Sequence, residues 1–156
     1  MNKGFTLVEL LVSISILAIL TLITLMAFSS VQKNSRDGKR KSDLSVIQSA
    51  LEQYHADQGY YPTADIVSAL LVSGNALTSP SGNKTYVSKI SKDPLNTEPN
   101  VYYYTATPSC DNTTGKFCTG YCLYAKMENN SNVKDISSCS NQVNPGQEKN
   151  YEVAPN

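Results

Sequence analysis

The chain has 156 residues, with 13 Lys and Arg against 13 Asp and Glu, so its net charge gives no lead toward nucleic acid or an acidic substrate. It has one His and lacks a nucleophile elbow, a phosphate-cradling glycine loop and an HExxH run, so the expectation is a chain that is not an enzyme and carries no cofactor or bound metal. Trp is absent and only 3 Phe occur, so the portion after the apolar N-terminal stretch is one modest domain without a large enzyme core.

Charge is spread unevenly along the chain. Lys3 and Glu9 are the only charged residues before Lys33, and Phe5 to Phe28 is otherwise apolar with scattered Ser and Thr. As a helix these residues extend roughly 36 Å, enough to cross a hydrocarbon core of about 30 Å. The run is longer than the apolar region of a cleaved secretory signal, and its leader, Met1-Asn2-Lys3-Gly4, is unusually short. Glu9 lies inside the apolar run, and an ionisable group in a membrane helix is costly enough to call for a functional reason.

Lys3-Gly4-Phe5-Thr6-Leu7-Val8-Glu9, followed by a hydrophobic helix, resembles the class III signal of type IV pilins and type II secretion pseudopilins. The resemblance implies a cut between Gly4 and Phe5 by a prepilin peptidase, N-methylation of Phe5, and stacking of the helices as the core of a filament. In that reading Phe5 and Glu9 are the assembly residues, and the partners are the peptidase, an inner-membrane assembly platform and further copies of the chain. Two features depart from the pattern. The basic residues Lys33, Arg36, Lys39, Arg40 and Lys41 lie on the far side of the span, opposite to the positive-inside expectation, and are interleaved with Asp37 and Asp43. No Pro or Gly occurs between Phe5 and Asp37, whereas many members carry a helix-breaking proline near the position of Met26.

From Gln32 to Asp43 no apolar side chain occurs, which predicts an exposed linker, helical or frayed at Gly38, with a solvated face. Leu44, Ile47, Leu51 and Tyr54 then recur at spacings of three and four, an apolar stripe that a head domain must cover. Glu52 is read as solvated on this helix, and His55 as polar filler rather than a ligand. Gly59 and the adjoining Tyr60-Tyr61-Pro62 supply the stop. The string Ala50 to Tyr54 through Gly59 to Thr63 also looks like the helix exit of pilins and major pseudopilins, and Lys92-Asp93-Pro94-Leu95-Asn96 resembles the Asp-Pro turn before the pseudopilin sheet.

A short helix is predicted from Ala64 through Ser73, closing at Gly74, and a turn at Ser79-Pro80-Ser81-Gly82. Strands are predicted over Val101 to Thr107 and over Gly120 to Glu128, with Tyr121, Leu123, Ala125 and Met127 on one face, and a third near Asn150 to Val153. Tyr102, Tyr103 and Tyr104 cannot all face inward, because successive strand side chains alternate.

The four cysteines, Cys110, Cys118, Cys122 and Cys139, lie in a region rich in Asn, Ser and Thr behind a membrane-targeting segment and read as disulfides made outside the cytoplasm. A zinc site is the competing reading of Cys118-Thr-Gly-Tyr-Cys122. Three pairings are possible; Cys110 with Cys118 and Cys122 with Cys139 is favoured, since the first closes the connection between two strands and the second fastens the loop after Glu128 to the sheet. Major pseudopilins commonly carry an Asp-rich calcium loop near the sheet; the matching Cys110-Asp111-Asn112-Thr113-Thr114-Gly115 has one carboxylate and serves a hard cation poorly. Asn83-Lys84-Thr85, Asn112-Thr113-Thr114 and Asn129-Asn130-Ser131 match the glycosylation pattern and are read as coincidence in such a composition.

The fold expected is α+β and pilin-like: a long N-terminal helix, membrane-spanning in its first half and amphipathic in its second, packed on a small antiparallel sheet. Residues 1–4 form the leader, 5–28 the transmembrane or filament-core helix, 29–58 the stalk and amphipathic helix, and 59–156 the head with its disulfide loop. The leading functional expectation is the structural subunit of a type IV pilus or pilus-like surface filament. Such a subunit is single-pass in the membrane before assembly and extracellular afterwards, and it has no nucleic-acid partner of its own. The alternatives are a pseudopilin of a type II secretion piston and a membrane-anchored binding protein that never polymerises.

Overall fold

The computed structural model describes residues 4–107, 110–133 and 149–155, without the side chains of residues 26 and 27. Helix α1 runs unbroken from Leu7 to Gln58, 52 residues or about 78 Å, straight through residue 26 and Gly38. Its start is a capping box: Thr6 Oγ1 accepts from the Glu9 amide at 3.3 Å, and Glu9 Oε2 accepts from the Thr6 amide at 2.9 Å. Its end is Gly59, at φ 78°, whose N–H returns to the His55 carbonyl at 2.8 Å. Hydroxyls within the apolar half are bound to the helix's own backbone. Ser13, Thr21 and Thr24 each donate four residues back, and Ser15 donates three back, to the Val12 carbonyl. None of them needs water, which suits a span in lipid.

Helix α2, Ala64–Ser73, comes next with Val67 and Leu71 buried, and it stops at Gly74 as the sequence predicts. After it stands a hairpin that the sequence reading marks only as a turn: β1, Leu77–Thr78, pairs antiparallel with β2, Thr85–Val87, around the Ser79 to Gly82 turn. The main sheet has the order β3-β4-β5, all antiparallel, with β3 at Tyr103–Thr107, β4 at Gly120–Ala125 and β5 at Tyr151–Val153. All three strands fall within the predicted stretches, each shorter because pairing ends sooner than the apolar pattern.

The core lies where the α1 stripe meets this sheet. Leu44, Ile47, Leu51 and Tyr54 pack in one buried cluster with Tyr104, Tyr121, Leu123, Ala125 and Met127. Alternation decides the tyrosine triplet: Tyr102 and Tyr104 are buried, while Tyr103 is half-buried and lies with Cys122 and Tyr124 in a second cluster on the opposite face. A core built from tyrosine instead of Phe or Trp must satisfy its hydroxyls. Tyr104 donates to the Pro62 carbonyl at 2.9 Å, and Tyr61 and Tyr121 donate to the two Glu52 carboxylate oxygens at 2.8 and 3.0 Å. Glu52 is therefore not a solvated residue, contrary to expectation: two core tyrosines need an acceptor, and the helix supplies it.

The largest correction concerns the stretch from Gln32 to Asp43. It is continuous helix, and one face of it is buried: Asp37 and Arg40 are fully inaccessible and Asp43 nearly so. A run without apolar side chains can still face a core when the head supplies opposite charges.

Candidate functional site

The N-terminal group is exposed on every side. Gly4 and Phe5 precede the first helical turn, the Phe5 side chain is 87% accessible, and nothing lies within 4 Å of a Cβ built on Gly4. Backbone at the Gly4-Phe5 bond is thus non-helical and open, as a protease requires. The Glu9 carboxylate spends Oε2 on Thr6, accepting from both the amide and the hydroxyl at 2.9 and 2.7 Å. No hydrogen bond to Oε1 occurs among the described residues, so one oxygen stays available to a donor from outside the chain. From Phe5 to Val31 the large apolar side chains that the structure describes are exposed all round the helix.

The second site joins the middle of α1 to the head. Arg40 lies at its centre, with its side chain wholly buried. Its Nε and Nη2 make a two-pronged contact with Asp93, at 2.6 and 3.0 Å, and Nη1 donates to Asp37 at 2.9 Å and to Glu128 at 2.7 Å. Arg36 grips the same Glu128 with Nε at 2.7 Å and Nη2 at 2.5 Å. Asp37 also accepts the amides of Glu128 and Asn129, both at 2.9 Å, which fixes the turn after β4 onto the helix. Burial alone would raise the Asp37 carboxyl, but these amides, with Asn132 and Arg40, hold it below the usual range. Arg36, and then Arg40, against the opposing effect of burial, hold the Glu128 carboxyl down at about 2. Every member is paired more than once, the condition under which a buried charge cluster holds together.

Sequence reasoning passes over this cluster, although a signal is present. Extending the stripe backward from Leu44 at spacings of four and three lands on Arg40 and Asp37, so the buried face of α1 continues at the same helical period after it stops being apolar. The Asp-Pro turn supplies the partner: Asp93 is buried against Arg40 and also accepts the Leu95 amide at 2.9 Å.

The head's other candidates are structural. Cys110 and Cys118 form the favoured disulfide, with Cα atoms 5.2 Å apart. Cys122 is disulfide-bonded and on the outer face of the sheet as expected; its favoured partner, Cys139, lies outside the described residues. Asn112 inside the first loop is fully used, donating to the Tyr61 carbonyl and accepting the Cys118 amide, both at 2.9 Å, which argues against a glycan there. The Asp111 carboxylate turns back on Thr113, and among the described residues no group of three or more His, Cys, Asp or Glu converges as a metal site would. His55 stacks on the Tyr61 ring at 4.4 Å.

Comparison with known proteins divides the chain within the apolar part of α1. Residues 1–25 match the prokaryotic N-terminal methylation motif, and residues 27–117, more than half of the chain, match the family described as type II secretion system (T2SS), protein G. The chain is similar to the type II secretion system core protein G of Klebsiella pneumoniae, with 31% identity over 98 residues that cover 60% of this chain and 69% of the relative. It is also similar to the protein of the same name from Vibrio cholerae serotype O1, with 28% identity over 121 residues, 76% of this chain and 80% of the relative. No solved structure gives a significant match.

Proposed function

We propose that this chain, which belongs to the type II secretion system protein G family, is a structural subunit that polymerises into a short secretion filament, a pseudopilin, and that it performs no catalysis. The names of its relatives move the reading away from the type IV pilus that the sequence places first, toward the secretion piston kept as its alternative. One observation carries it: half of a single unbroken helix is joined to the head by hydrogen bonds and ion pairs, and the large apolar side chains described in the other half are exposed all round it, with no partner among the described residues. In the membrane that half is covered by lipid; extracted from it, the same half needs other copies.

The exposed Gly4-Phe5 bond is the proposed cleavage site, and Phe5 the new methylated N-terminus. Cleavage leaves the Thr6 capping box intact, so Glu9 keeps its orientation with Oε1 open. The Phe5 amine of an incoming copy can then neutralise Glu9 of the copy already in place, since a carboxylate buried unpaired in a filament core costs on the order of 3 to 5 kcal/mol. The test is electron microscopy of sheared material with mass spectrometry of the subunit. Wild type is expected to give filaments lacking residues 1–4 and carrying one added methyl, and Glu9→Ala to abolish them while the head still melts normally. Filaments that retain the leader, or a normal yield from Glu9→Ala, would end this reading. Long fibres outside the cell would return it to a pilus.

A further inference from the structure

Three stretches of the chain carry the acceptor pattern for an N-linked glycan: Asn83-Lys84-Thr85, Asn112-Thr113-Thr114 and Asn129-Asn130-Ser131. In a sequence this rich in Asn, Ser and Thr such triplets arise by chance, so the pattern by itself selects none of them. Geometry does, because the side-chain amide must be free to react and the hydroxyl two residues on must be within reach of an enzyme. Asn112 fails: its Nδ2 donates to the Tyr61 carbonyl and its Oδ1 accepts the Cys118 amide. Asn129 fails too, since its Nδ2 donates to Asn34 at 2.7 Å and its Oδ1 accepts the Ser131 amide at 3.2 Å. Each of these two builds the fold with the very atoms that a glycan would take.

Asn83 is placed differently. It lies in the turn between β1 and β2, both it and Thr85 are exposed, and neither side chain has a hydrogen-bond partner among the described residues. The turn is held by other groups. The Gly82 amide donates to the Ser79 carbonyl at 2.9 Å, the Ser79 amide to the Lys84 carbonyl at 2.8 Å, and the Lys84 amide to Ser79 Oγ at 3.2 Å. Gly82 sits at φ 74°, the left-handed conformation that glycine tolerates without cost. Lys84 and Tyr86 both face α1, where Lys84 Nζ and Tyr86 Oη donate to the two Asp57 carboxylate oxygens, each at 2.8 Å. Alternation then sends Thr85, between them, the other way into solvent. The turn therefore keeps its shape through groups that a glycan transfer does not use, and leaves outside the two that it does.

We infer that Asn83 is an N-glycosylation site that accepts an oligosaccharide from a polyprenyl diphosphate carrier, with Thr85 as the hydroxyl that the transferring enzyme reads. In the transfer Asn83 Nδ2 attacks the anomeric carbon of the first sugar. The new bond is from that carbon to Nδ2, the bond from the same carbon to the phosphate oxygen breaks, polyprenyl diphosphate leaves with the electron pair, and the amide gives up one proton. No oxidant or reductant is needed. The inference rests on the proposed function in one respect, that the head is exported. Asp57, against which the hairpin lies, comes 29 residues after Phe28, roughly 44 Å along the helix axis. A sugar on Asn83 thus stands in water at the outer end of the head, far from Glu9 and from the Arg40 joint, and is compatible with assembly.

The test isolates the full chain from its own cells and reads its intact mass and its peptides by mass spectrometry. The subunit cut before Phe5 is expected to carry an oligosaccharide on the peptide that holds Asn83, with Asn112 and Asn129 bare. Asn83→Gln and Thr85→Ala should each lose the whole glycan mass, and Thr85→Ser should keep it, because a hydroxyl at that position completes the acceptor pattern. All three variants should melt like unglycosylated wild-type protein made without the transferase, since neither side chain supports the fold. A bare Asn83 in the mature subunit would overturn the inference. So would a glycan on Asn112 or Asn129 in its place, or one on Asn83 that survives Thr85→Ala. Filaments built from a mature subunit with Asn83 bare would refute the glycan and spare the proposed function; filaments whose subunits keep the leader and a bare Asn83 would refute both.

Discussion

The two halves of α1 invert the usual relation between polarity and burial. Between Leu7 and Val31 the residues are mostly apolar and those whose side chains are described are exposed; from Asp37 to Asp43 they are mostly charged, and Asp37, Arg40 and Asp43 on the face toward the head are sealed from solvent. The first half has no partner among the described residues, and on the proposed function lipid or other copies cover it. The second half has a partner whose polar groups answer its own: Asp93 and Glu128 for Arg40, and the amides of Glu128 and Asn129 for Asp37. Burial thus depends on what the rest of the molecule presents to a helix face, while composition decides only the kind of partner that face requires.

Breaking the charged half should have the largest effect. Arg40→Ala leaves Asp37 and Asp93 buried without their cation and is expected to destabilise the head by about 3 to 5 kcal/mol, read as a lowered melting temperature. Acid should attack the same joint less severely. The Glu128 carboxyl lies at about 2 in the folded chain against an ordinary 4.5, held down first by Arg36. A depressed carboxylate stabilises fully above its ordinary value and loses that contribution as pH falls toward the folded value. Between about pH 4.5 and pH 2 roughly 3 kcal/mol should disappear, and Arg36→Gln should shrink the loss.

Farther from the joint, Cys110→Ser should cost about 2 to 3 kcal/mol, because the disulfide closes a short loop, and reductant, which opens the Cys122 disulfide as well, should cost wild type more than that. Glu52→Gln replaces a charged acceptor of two tyrosine hydroxyls with an amide and should cost about 1 kcal/mol by denaturant titration. The smallest effect sharpens the contrast: Leu17→Ala in the apolar half should leave head melting within about 0.5 kcal/mol. A larger drop would show that this half has a partner within the chain after all.

Much of the molecule is legible in order along the chain. Gly59 and Gly74 close their helices, the Leu44 to Tyr54 stripe marks a packed face, and alternation around Leu123 puts Tyr121 and Cys122 on opposite sides of the sheet. Each depends on the backbone's own period or on the φ a residue tolerates, so neighbours in sequence suffice to read it. The hairpin of β1 and β2 escapes because strands of two and three residues are too short to show alternation. The N-terminal run likewise declares by composition alone that it needs an apolar partner, without saying which.

What only the tertiary structure decided is where polar groups find one another. Arg40 meets Asp93 and Glu128 across 53 and 88 residues, and Arg36 meets Glu128 across 92. Glu52 meets Tyr121 across 69. A charged side chain in a helix reads as solvated until the head folds against it, because the desolvation it suffers and the counter-charge it gains both come from residues distant in sequence. Hydrophobic burial needs only some apolar surface opposite and so announces itself locally. A buried ion cluster needs particular atoms within about 3 Å, and only the folded chain brings them there.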